Sequence, residues 1–279
     1  MLEVCDIKKS FHSKQVLKGI TFSVSEGEIV CLLGNNGSGK TTTINCILKM
    51  LKADKGVICF DGKDISKYNN KEYFSKVSAL LESSVNVYDY LTGRQNIEYF
   101  AELMGISAKN NLKLEKYVSV LEMEQALEQQ VGEYSRGMQQ KLALIIALMS
   151  SPKLLLLDEP TLGLDIKSKL SVIHTLNEIV KEEKMAVILT THQMDVVQKL
   201  DARILILKDG KVSNFDVKNY ESTENYIVSY VEDNIVKNET VEGMFKDIYA
   251  RYFNKEIIEI KRKVLEIEEI IKEALDETD

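Results

Sequence analysis

Residues 29–43 read IVCLLGNNGSGKTTT, a run of five apolar residues followed by a glycine-rich segment that ends in Lys and Thr. The segment Gly34–Thr41 fits the pattern G-x-x-x-x-G-K-[ST], which typically connects a buried strand to a helix. Glycines let backbone N–H groups turn inward around phosphate oxygens, and the N-terminus of the following helix favours negative charge. The sequence therefore predicts a phosphate-binding loop, in which Lys40 contributes a cation and Thr41 a hydroxyl ligand for Mg²⁺.

Carboxylates that suit such a loop follow a second apolar run. Residues 154–159 read LLLLDE, and four consecutive leucines predict a buried strand that ends at Asp158. Because ligands bind at the carboxyl edge of an open α/β sheet, Asp158 is a candidate Mg²⁺ ligand and Glu159 a candidate base for an attacking water. His192 follows the apolar strand 186–191, and we expect it at the same edge, near Glu159 and a γ-phosphate. A lone histidine at a strand end is otherwise usually structural.

Apolar runs alternate with helical stretches along most of the chain. This alternation predicts an α/β fold with a mostly parallel sheet, which together with the phosphate-binding loop indicates a P-loop NTPase core. Residues 2–7 and 16–24 alternate polar with apolar positions, which predicts an antiparallel β edge subdomain. The pattern between residues 91 and 149 is nearly all helical and predicts an inserted helical lobe at about residues 83–150.

Composition limits the classes of function. The chain has 36 Lys and Arg against 43 Asp and Glu, a net charge of −7. Residues 1–217 carry 27 of each sign, so all of the net charge belongs to residues 218–279. Such a chain is a poor candidate for general nucleic-acid binding, because neutralising phosphates requires excess cations. Its apolar runs are shorter than the roughly 20 residues of a membrane span, and its four scattered cysteines are expected to be thiols.

Residues 218–279 differ in composition from the rest and are predicted to form an acidic, largely helical C-terminal extension. Apolar residues near the C-terminus follow a 3-4-3-4-3 spacing, which is typical of a coiled-coil seam. An amphipathic helix packed on its own domain and a helix that mediates self-association or docking both fit this spacing. The residues of the seam are Ile257, Ile260, Val264, Ile267, Ile271 and Ala274.

With two further motifs included, the order of these segments along the chain resembles the order of motifs in the nucleotide-binding subunit of ATP-binding cassette (ABC) transporters. Residues 134–140 read YSRGMQQ, similar to the family's signature motif, and residues 162–165 read LGLD, similar to its D-loop. The resemblance covers about residues 2–215 and implies an ATP-binding domain over residues 1–217. It implies ATP and Mg²⁺ as cofactors, with Phe11 stacking on adenine. The implied ATP contacts within the chain are Phe11, Val16, Asn35, Asn36, Gly37, Ser38, Gly39, Lys40, Thr41 and Thr42. The signature residues implied to contact ATP bound by a second subunit are Ser135, Arg136, Gly137 and Met138. Asp165 is the implied D-loop aspartate.

Two positions depart from the family's pattern. In the signature motif, Arg136 replaces a glycine and Met138 replaces a glutamine. After the strand at residues 77–81 the family places a glutamine that contacts Mg²⁺, and here that position falls on Ser83, with Glu82 beside it. These departures put the coordination of Mg²⁺ and the coupling of hydrolysis to transport in question. The carboxylate of Glu159 is retained.

The resemblance implies a head-to-tail pair of cassettes that sandwiches two ATP molecules and drives a membrane partner. The expected partners are a second copy or a homologous ATPase subunit and an integral membrane permease, and the expected location is the cytoplasmic face of the membrane. The Ser-x-Gly-Met form of the signature resembles subunits of ABC-2-type exporters, so we expect export. The alternatives are a soluble ABC ATPase that uses ATP-driven dimerisation for regulation or assembly, and a cassette that binds ATP without hydrolysing it.

Overall fold

The chain divides into two units, Met1–Asn214 and Phe215–Asp279. A computed structural model describes residues 1–81, 87–108, 111–197, 199–215, 225–232, 235–242, 245–252 and 254–263. Glu82 and Ser83, the two residues expected at the position of the Mg²⁺-contacting glutamine, lie outside the described residues. The phosphate-binding loop and the strands around it belong to the first unit.

Strands and helices alternate through most of this part of the chain. The strands are β1 (Leu2–Phe11), β2 (Lys14–Val24), β3 (Ile29–Leu33), β4 (Lys55–Phe60), β5 (Lys63–Asp64), β6 (Val77–Leu80), β7 (Leu154–Asp158), β8 (Ala186–Thr191), β9 (Ala202–Lys208) and β10 (Lys211–Phe215). The helices are α1 (Lys40–Ile47), α2 (Asn70–Phe74), α3 (Gly93–Met104), α4 (Leu112–Val120), α5 (Arg136–Leu148), α6 (Ile166–Glu183) and α7 (Met194–Val197), with 3₁₀ turns at Ile65–Lys67 and Val131–Glu133.

The central sheet has the strand order β10-β9-β3-β8-β7-β6. Strand β3 pairs in parallel with β8 and β9, and β7 pairs in parallel with β6 and β8. Every residue of β3, β7 and β8 is buried, which explains their unbroken apolar sequences, because helices cover both faces of a parallel sheet. The register places Leu33 opposite Thr191 and Asp158 opposite Thr190, so the carboxyl ends of these three strands meet at one edge.

A second, antiparallel sheet has the order β2-β1-β4-β5. Its alternating apolar residues, including Leu2, Val4, Leu17 and Ile20, belong to the same buried core as β3 and α1. Strands β1 and β2 form a hairpin in which Phe11 pairs with Lys14 at the closed end. The prediction of an α/β P-loop core with a mostly parallel sheet and an antiparallel edge sheet is confirmed.

Helices α3, α4 and α5 occupy the segment between β6 and β7 for which a helical lobe is predicted. Each begins at a side chain that accepts a hydrogen bond from the first turn, which satisfies one of the free N–H groups there. The capping residues are Thr92, which forms a capping box with Gln95, Asn111 for α4 and Ser135 for α5. Asp165 caps α6 in the same way.

The second unit contains strands where the sequence predicts helix. Strands β11 (Asn225–Glu232), β12 (Ile235–Glu242) and β13 (Glu256–Lys263) form an antiparallel sheet in the order β12-β11-β13, and α8 (Phe245–Tyr252) follows β12. The prediction of a largely helical extension is therefore wrong for the described residues of this unit. Tyr226, Val228, Tyr230, Val241, Ile248 and Tyr252 form its buried core.

The misleading feature was the three-residue spacing between Ile257 and Ile260. Both lie in β13 and pack against the core of the unit, Ile257 opposite Tyr230 and Ile260 opposite Val228. A shift in the register between these two pairs, a β-bulge at Ile258, brings residues three apart onto one face of the strand. The other positions of the predicted seam, Val264, Ile267, Ile271 and Ala274, lie outside the described residues.

Candidate nucleotide-binding site

The phosphate-binding loop runs from the end of β3 to the start of α1. Gly37 and Gly39 have φ values of 83° and 113°, which other residues rarely adopt. A side chain at Gly34 would collide with the carbonyl oxygen of Leu207 on the neighbouring strand β9, and it would lie 2.7 Å from Oγ of Ser38. Each of these glycines is therefore required by the backbone, and the loop turns tightly over the end of the sheet.

Lys40 is buried at the base of this loop. Its ammonium group donates hydrogen bonds to the carbonyl oxygens of Gly34 at 2.7 Å and Asn35 at 3.3 Å. The Thr43 hydroxyl donates to the Gly39 carbonyl at 2.9 Å and anchors the first turn of α1. Among the described residues this buried cation has only neutral carbonyls as hydrogen-bond partners, so it can move to an anionic ligand, because charge-assisted hydrogen bonds are stronger.

A pocket of about 340 Å³ opens over the loop. The hairpin of β1 and β2 forms one wall, the phosphate-binding loop forms the floor, and Glu159 lies opposite. The structure thus brings most of the expected nucleotide contacts together. The lining residues are Phe11, Lys14, Val16, Asn36, Gly37, Gly39, Lys40, Thr41, Thr42 and Glu159.

Lys14 is the lining residue that sequence analysis did not identify. It lies across the hairpin from Phe11, and its side chain is exposed. A lysine in a polar turn belongs to no motif. Its place in the pocket follows from its pairing with Phe11, which becomes known only with the hairpin. Lys9 also approaches Phe11, with Nζ at 5.6 Å from the ring centroid.

The carboxylates at the end of β7 lie beside β8. The Asp158 carboxylate accepts a hydrogen bond from the Thr190 hydroxyl. The backbone N–H of Glu159 donates to the carbonyl oxygen of Thr190 at 3.1 Å, and Glu159 has a φ of 50°. Since non-glycine residues pay about 1–3 kcal/mol for such a conformation, the backbone is strained at the residue whose carboxylate faces the pocket.

His192 contacts that carboxylate. Its Nδ1 lies 2.7 Å from Oε1 of Glu159, and the Glu159 side chain is only 5% exposed, against 43% for His192. The histidine can therefore orient the glutamate from the solvent side while its second ring nitrogen remains available. The expected neighbourhood of Glu159 and His192 is present in the geometry.

Two buried polar atoms have no hydrogen-bond partner within the described part of the chain, Oγ of Ser38 and Oε2 of Glu159. Such atoms cost about 1–3 kcal/mol each, and native proteins retain few of them. A phosphate oxygen could accept from Ser38, and a water could donate to Glu159. Both atoms are therefore free to bond a ligand or a water molecule at this site.

The donor set also fits Mg²⁺. Thr41 and Asp158 offer a hydroxyl and a carboxylate, both oxygen donors of the kind Mg²⁺ prefers. The described residues contain no cluster of three or more His, Cys, Asp or Glu side chains that could hold a metal ion.

Cys31 lies in β3 next to the site but takes no part in its chemistry. Complete burial, with a smaller contribution from the negative charge of Glu159, raises the pKa of its thiol to about 12. Because the thiolate is the reactive form, this cysteine stays inert at neutral pH.

The signature residues do not line the pocket of their own chain. Ser135 caps α5, with its Oγ accepting from the backbone N–H of Met138 at 3.2 Å. Gly137 faces the start of α6, where a Cβ would lie 2.8 Å from Cβ of Ser168 and 3.5 Å from Oδ2 of Asp165. Asp165 accepts from the Ser168 backbone N–H at 3.0 Å and from its hydroxyl at 2.6 Å, and these bonds hold the pKa of its carboxyl below its usual range.

Three comparisons relate this architecture to known proteins. A family model described as "ABC transporter" matches residues 17–162. The bacitracin transport ATP-binding protein BcrA of Bacillus licheniformis is 32% identical over 215 residues, which cover 76% of this chain and 68% of BcrA. The phosphonates import ATP-binding protein PhnC of Treponema denticola is 31% identical over 225 residues, covering 76% of this chain and 88% of PhnC.

Among solved structures, the dimeric post-hydrolysis state of the ATP-binding cassette MJ0796 bound to ADP and Pi is similar, with a TM-score of 0.68 and 25% identity. The match covers 78% of this chain and 99% of that one.

Fold and site together define a P-loop ATPase cassette. The chain belongs to the ABC transporter family, whose ATP-binding subunits it resembles along most of its first unit. No helix within the described ranges is both long enough and apolar enough to cross a membrane.

Proposed function

We propose that this chain hydrolyses ATP as the nucleotide-binding subunit of a membrane exporter. The observation that carries the proposal is the pairing of Glu159 with His192 at the wall of the pocket that contains Lys40. A buried carboxylate with one oxygen held by a histidine and the other unbonded to any described residue suits the acceptance of a proton from water.

Each residue around the pocket has a part in the proposed reaction. The loop's N–H groups and the Ser38 hydroxyl donate to phosphate oxygens, and Lys40 exchanges its carbonyl partners for the β- and γ-phosphates. Oε2 of Glu159 orients the attacking water and accepts its proton, while His192 holds Oε1 and reaches towards the γ-phosphate. Thr41 and Asp158 would hold Mg²⁺, which neutralises phosphate charge when it is bound. Asn35, Asn36, Gly37, Gly39 and Thr42 add contacts to the phosphates, and Phe11 and Val16 pack against the base.

The proposed active unit is a pair of cassettes. The signature residues Ser135, Arg136, Gly137 and Met138 lie outside their own pocket, so we assign them to ATP held by the partner subunit, with Asp165 in the adjoining D-loop. A dimeric cassette is known among the structural neighbours. A serine hydroxyl and N–H groups at the start of α5 suit a γ-phosphate that arrives across the interface.

Coupling to an integral membrane permease and export are the least direct parts of the proposal. They rest on family membership and on the Ser-x-Gly-Met form of the signature. PhnC is named for import and BcrA for bacitracin transport, so both relatives support transport and neither supplies the direction. In this proposal the chain lies on the cytoplasmic face of the membrane, bound through its permease, and has no nucleic-acid partner.

Replacing Glu159 by Gln tests the catalytic assignment. Because the amide accepts no proton, we expect steady-state hydrolysis of Mg-ATP to fall by about 10²–10⁴-fold. ATP binding should remain, and the unconsumed nucleotide should hold a dimer that light scattering detects. Glu178→Gln, on the exposed face of α6, is the matched control and should retain wild-type turnover. Hydrolysis at the wild-type rate in Glu159→Gln would contradict the assignment.

A further inference from the structure

The Phe11 ring forms part of the nucleotide pocket from the end of the β1–β2 hairpin. Phe11 is the last residue of β1, and 40% of its surface is exposed. It pairs across the hairpin with Lys14, which is exposed as well. A ring that rotates freely in such a position must be ordered each time a base stacks on it, and this ordering costs binding free energy. The groups that hold the ring therefore bear on nucleotide affinity.

The ammonium group of Lys9 lies over this ring. Its Nζ is 5.6 Å from the ring centroid, within the distance at which a cation is attracted to the face of an aromatic ring. The Lys9 side chain is only 16% exposed, although lysine side chains are mostly solvated. The cation is therefore a fixed neighbour of the ring, and it limits the orientations that the ring can adopt.

Two oxygen atoms of the loop that follows α1 hold this cation. Nζ of Lys9 donates to the carbonyl oxygen of Lys52 at 2.8 Å and to Oδ1 of Asp54 at 3.0 Å. The hydrogen bond from Lys9, with another from the backbone N–H of Ser10, lowers the pKa of the Asp54 carboxyl below its usual range, so Asp54 is ionised at neutral pH. The bond between Lys9 and Asp54 is thus charge-assisted and stronger than one between neutral groups.

Asp54 also holds the backbone of β1 next to the ring. Its Oδ2 accepts a hydrogen bond from the N–H of Ser10 at 2.6 Å, and its own backbone N–H donates to the carbonyl oxygen of Lys8 at 2.8 Å. The pairing of β1 with β2 is irregular between Lys9 and Ser10, so this end of the strand depends on bonds beyond the regular ladder. One residue thus fixes both the cation over the ring and the backbone beside it.

Helix α1 connects this arrangement to the phosphate-binding loop. The helix begins at Lys40, and the loop that contains Asp54 runs from its end to β4. A triphosphate on the phosphate-binding loop and a base on Phe11 would therefore lie at two ends of one connected framework. The spacing of the two subsites depends on α1 and on the hydrogen bonds of Asp54.

We propose that Lys9 and Asp54 are positioning residues for the nucleobase, Asp54 by fixing Lys9 and Lys9 by ordering the Phe11 ring. The inference rests on the proposed function, in which Phe11 packs against the base of ATP. Both residues lie outside the set that lines the pocket, so they act through the ring and not by touching the nucleotide. A ring that is ordered beforehand loses less entropy when a base stacks on it.

Lys9→Met removes the cation and keeps a side chain of similar length. By isothermal titration calorimetry we expect the Kd for ATP to rise about three- to tenfold, because the cation–π contact and the ordering of the ring are lost together. The Kd for inorganic tripolyphosphate, which has no base, should change by less than about twofold. Lys8→Met is the matched control. Lys8 precedes Lys9 in β1 and pairs with the exposed Asp6 at 3.4 Å, so both affinities should match those of the wild type.

Steady-state kinetics separate positioning from a general loss of structure. A base bound equally well in the ground state and the transition state contributes to KM and not to kcat. Lys9→Met should therefore raise the KM for ATP and leave kcat within about twofold of the wild type. Asp54→Asn should act in the same way, because one amide oxygen replaces the two carboxylate oxygens that accept from Lys9 and Ser10. A fall in kcat with an unchanged KM in either variant would overturn the inference.

A double-mutant cycle with Phe11→Ala tests whether Lys9 acts through the ring. In the Phe11→Ala background, Lys9→Met should raise the Kd for ATP by less than about twofold. An equal increase with and without the ring would overturn the inference. Lys9→Arg should restore the wild-type Kd, because a guanidinium keeps the charge, bonds a carboxylate and stacks on aromatic faces. A Kd as high as that of Lys9→Met would contradict this account.

A measurement without nucleotide reports on the ring itself. The chain contains no tryptophan, so Phe11→Trp supplies the only indole emission. The anisotropy of this emission should fall when Lys9→Met is added, because the indole then rotates more freely, and should not change when Lys8→Met is added. An anisotropy that Lys9→Met leaves unchanged would overturn the inference. A folded wild type that binds neither ATP nor tripolyphosphate would instead contradict the proposed function.

Discussion

Ser38 and Glu159 show at the scale of single residues how the site differs from the rest of the core. Each buries a polar atom without a partner among the described residues, and Glu159 also has a left-handed backbone. Together these features cost several kcal/mol that folding alone does not recover. A ligand that supplies hydrogen bonds at both atoms explains why they are arranged this way.

Lys40→Ala tests the phosphate-binding loop. Removal of the ammonium group takes away its charge-assisted hydrogen bonds to the phosphates, each worth about 1.5–3 kcal/mol. We expect the Kd for ATP, measured by isothermal titration calorimetry, to rise by about 10- to 100-fold.

Lys14→Ala is the comparison for Lys40→Ala. Lys14 lines the same pocket but is exposed, so solvent screens its charge and the Kd should rise only a few-fold. An unchanged ATP affinity in Lys40→Ala, or a larger effect in Lys14→Ala, would contradict the placement of the phosphates on the loop.

At the scale of elements, a single buried side chain holds the loop that precedes α3. Oδ1 of Asn96 accepts from the Tyr88 backbone N–H at 2.7 Å, and its Nδ2 donates to the carbonyl oxygens of Tyr88 and Thr92, each at 3.0 Å. Asn96 is completely buried. The loop carries Tyr88 and the 71%-exposed Tyr90, whose rings pack together, so Asn96 fixes an aromatic surface on the helical lobe.

Asn96→Ala should therefore destabilise the first unit markedly. Three hydrogen bonds are lost and the buried backbone groups are left without partners, so we expect a loss of about 2–4 kcal/mol in the free energy of unfolding by urea. Asn177→Ala is the matched control, since Asn177 also bonds two backbone groups but near solvent. The control should lose less than about 1 kcal/mol, and equal losses in both variants would contradict the role of Asn96.

Glu28 links three strands of the two sheets through Arg203. Burial opposes its ionisation, but the hydrogen bond from Arg203 at 2.6 Å and bonds from Ser25 outweigh it and lower the pKa of Glu28 below its usual value of 4.5. Arg203 also donates to the carbonyl oxygen of Ser23 at the end of β2. The ionised carboxylate thus stabilises the junction of β2, β3 and β9.

Glu28→Gln should have a pH-dependent effect. A carboxyl group whose pKa is lower in the folded state than in the unfolded chain stabilises the fold at pH values above its unfolded pKa. This stabilisation is lost as the pH falls from about 4.5 through the pKa of the folded state. We expect the variant to lose about 1 kcal/mol of unfolding free energy at pH 7, for a partly exposed pair, and clearly less at pH 3. A loss that is the same at both pH values would show that packing, not charge, is responsible.

At the scale of the whole molecule, the proposed function involves a second cassette and an integral membrane partner. The signature motif lies outside its own pocket, and no described helix can span a membrane. The proposal assigns the completion of the site to a second cassette and the transport step to an integral membrane partner.

Affinity purification of the tagged chain from native membranes tests this part of the proposal. An exporter subunit should bring down a polytopic membrane protein. The association should survive in Glu159→Gln, because docking does not depend on turnover. Recovery of ribosomes or other soluble assemblies alone would contradict the exporter and favour the alternative of a soluble ABC ATPase that acts in regulation or assembly.

The order of motifs along the chain was sufficient to predict the cassette. A buried parallel strand is an unbroken apolar run, and a tight phosphate-binding loop needs glycines at set positions, so Ile29–Thr41 and Leu154–Glu159 could be placed before any contact was known. The second unit could not be placed in this way. A bulge at Ile258 gives a strand the three-residue spacing of a helix, and a bulge depends on pairing with another strand.

By itself, the sequence determined the phosphate-binding loop, the carboxylates at the end of β7 and the family, because each depends on residues close together along the chain. The sequence placed His192 and Glu159 at one edge of the sheet, but only the tertiary structure decided their direct contact. It alone also decided that Lys14 lines the pocket and that Arg136 lies against Gly163. These pairs join segments whose separation is set by sheet register and helix packing. Side-chain contacts of that kind leave no periodic signal in a single sequence.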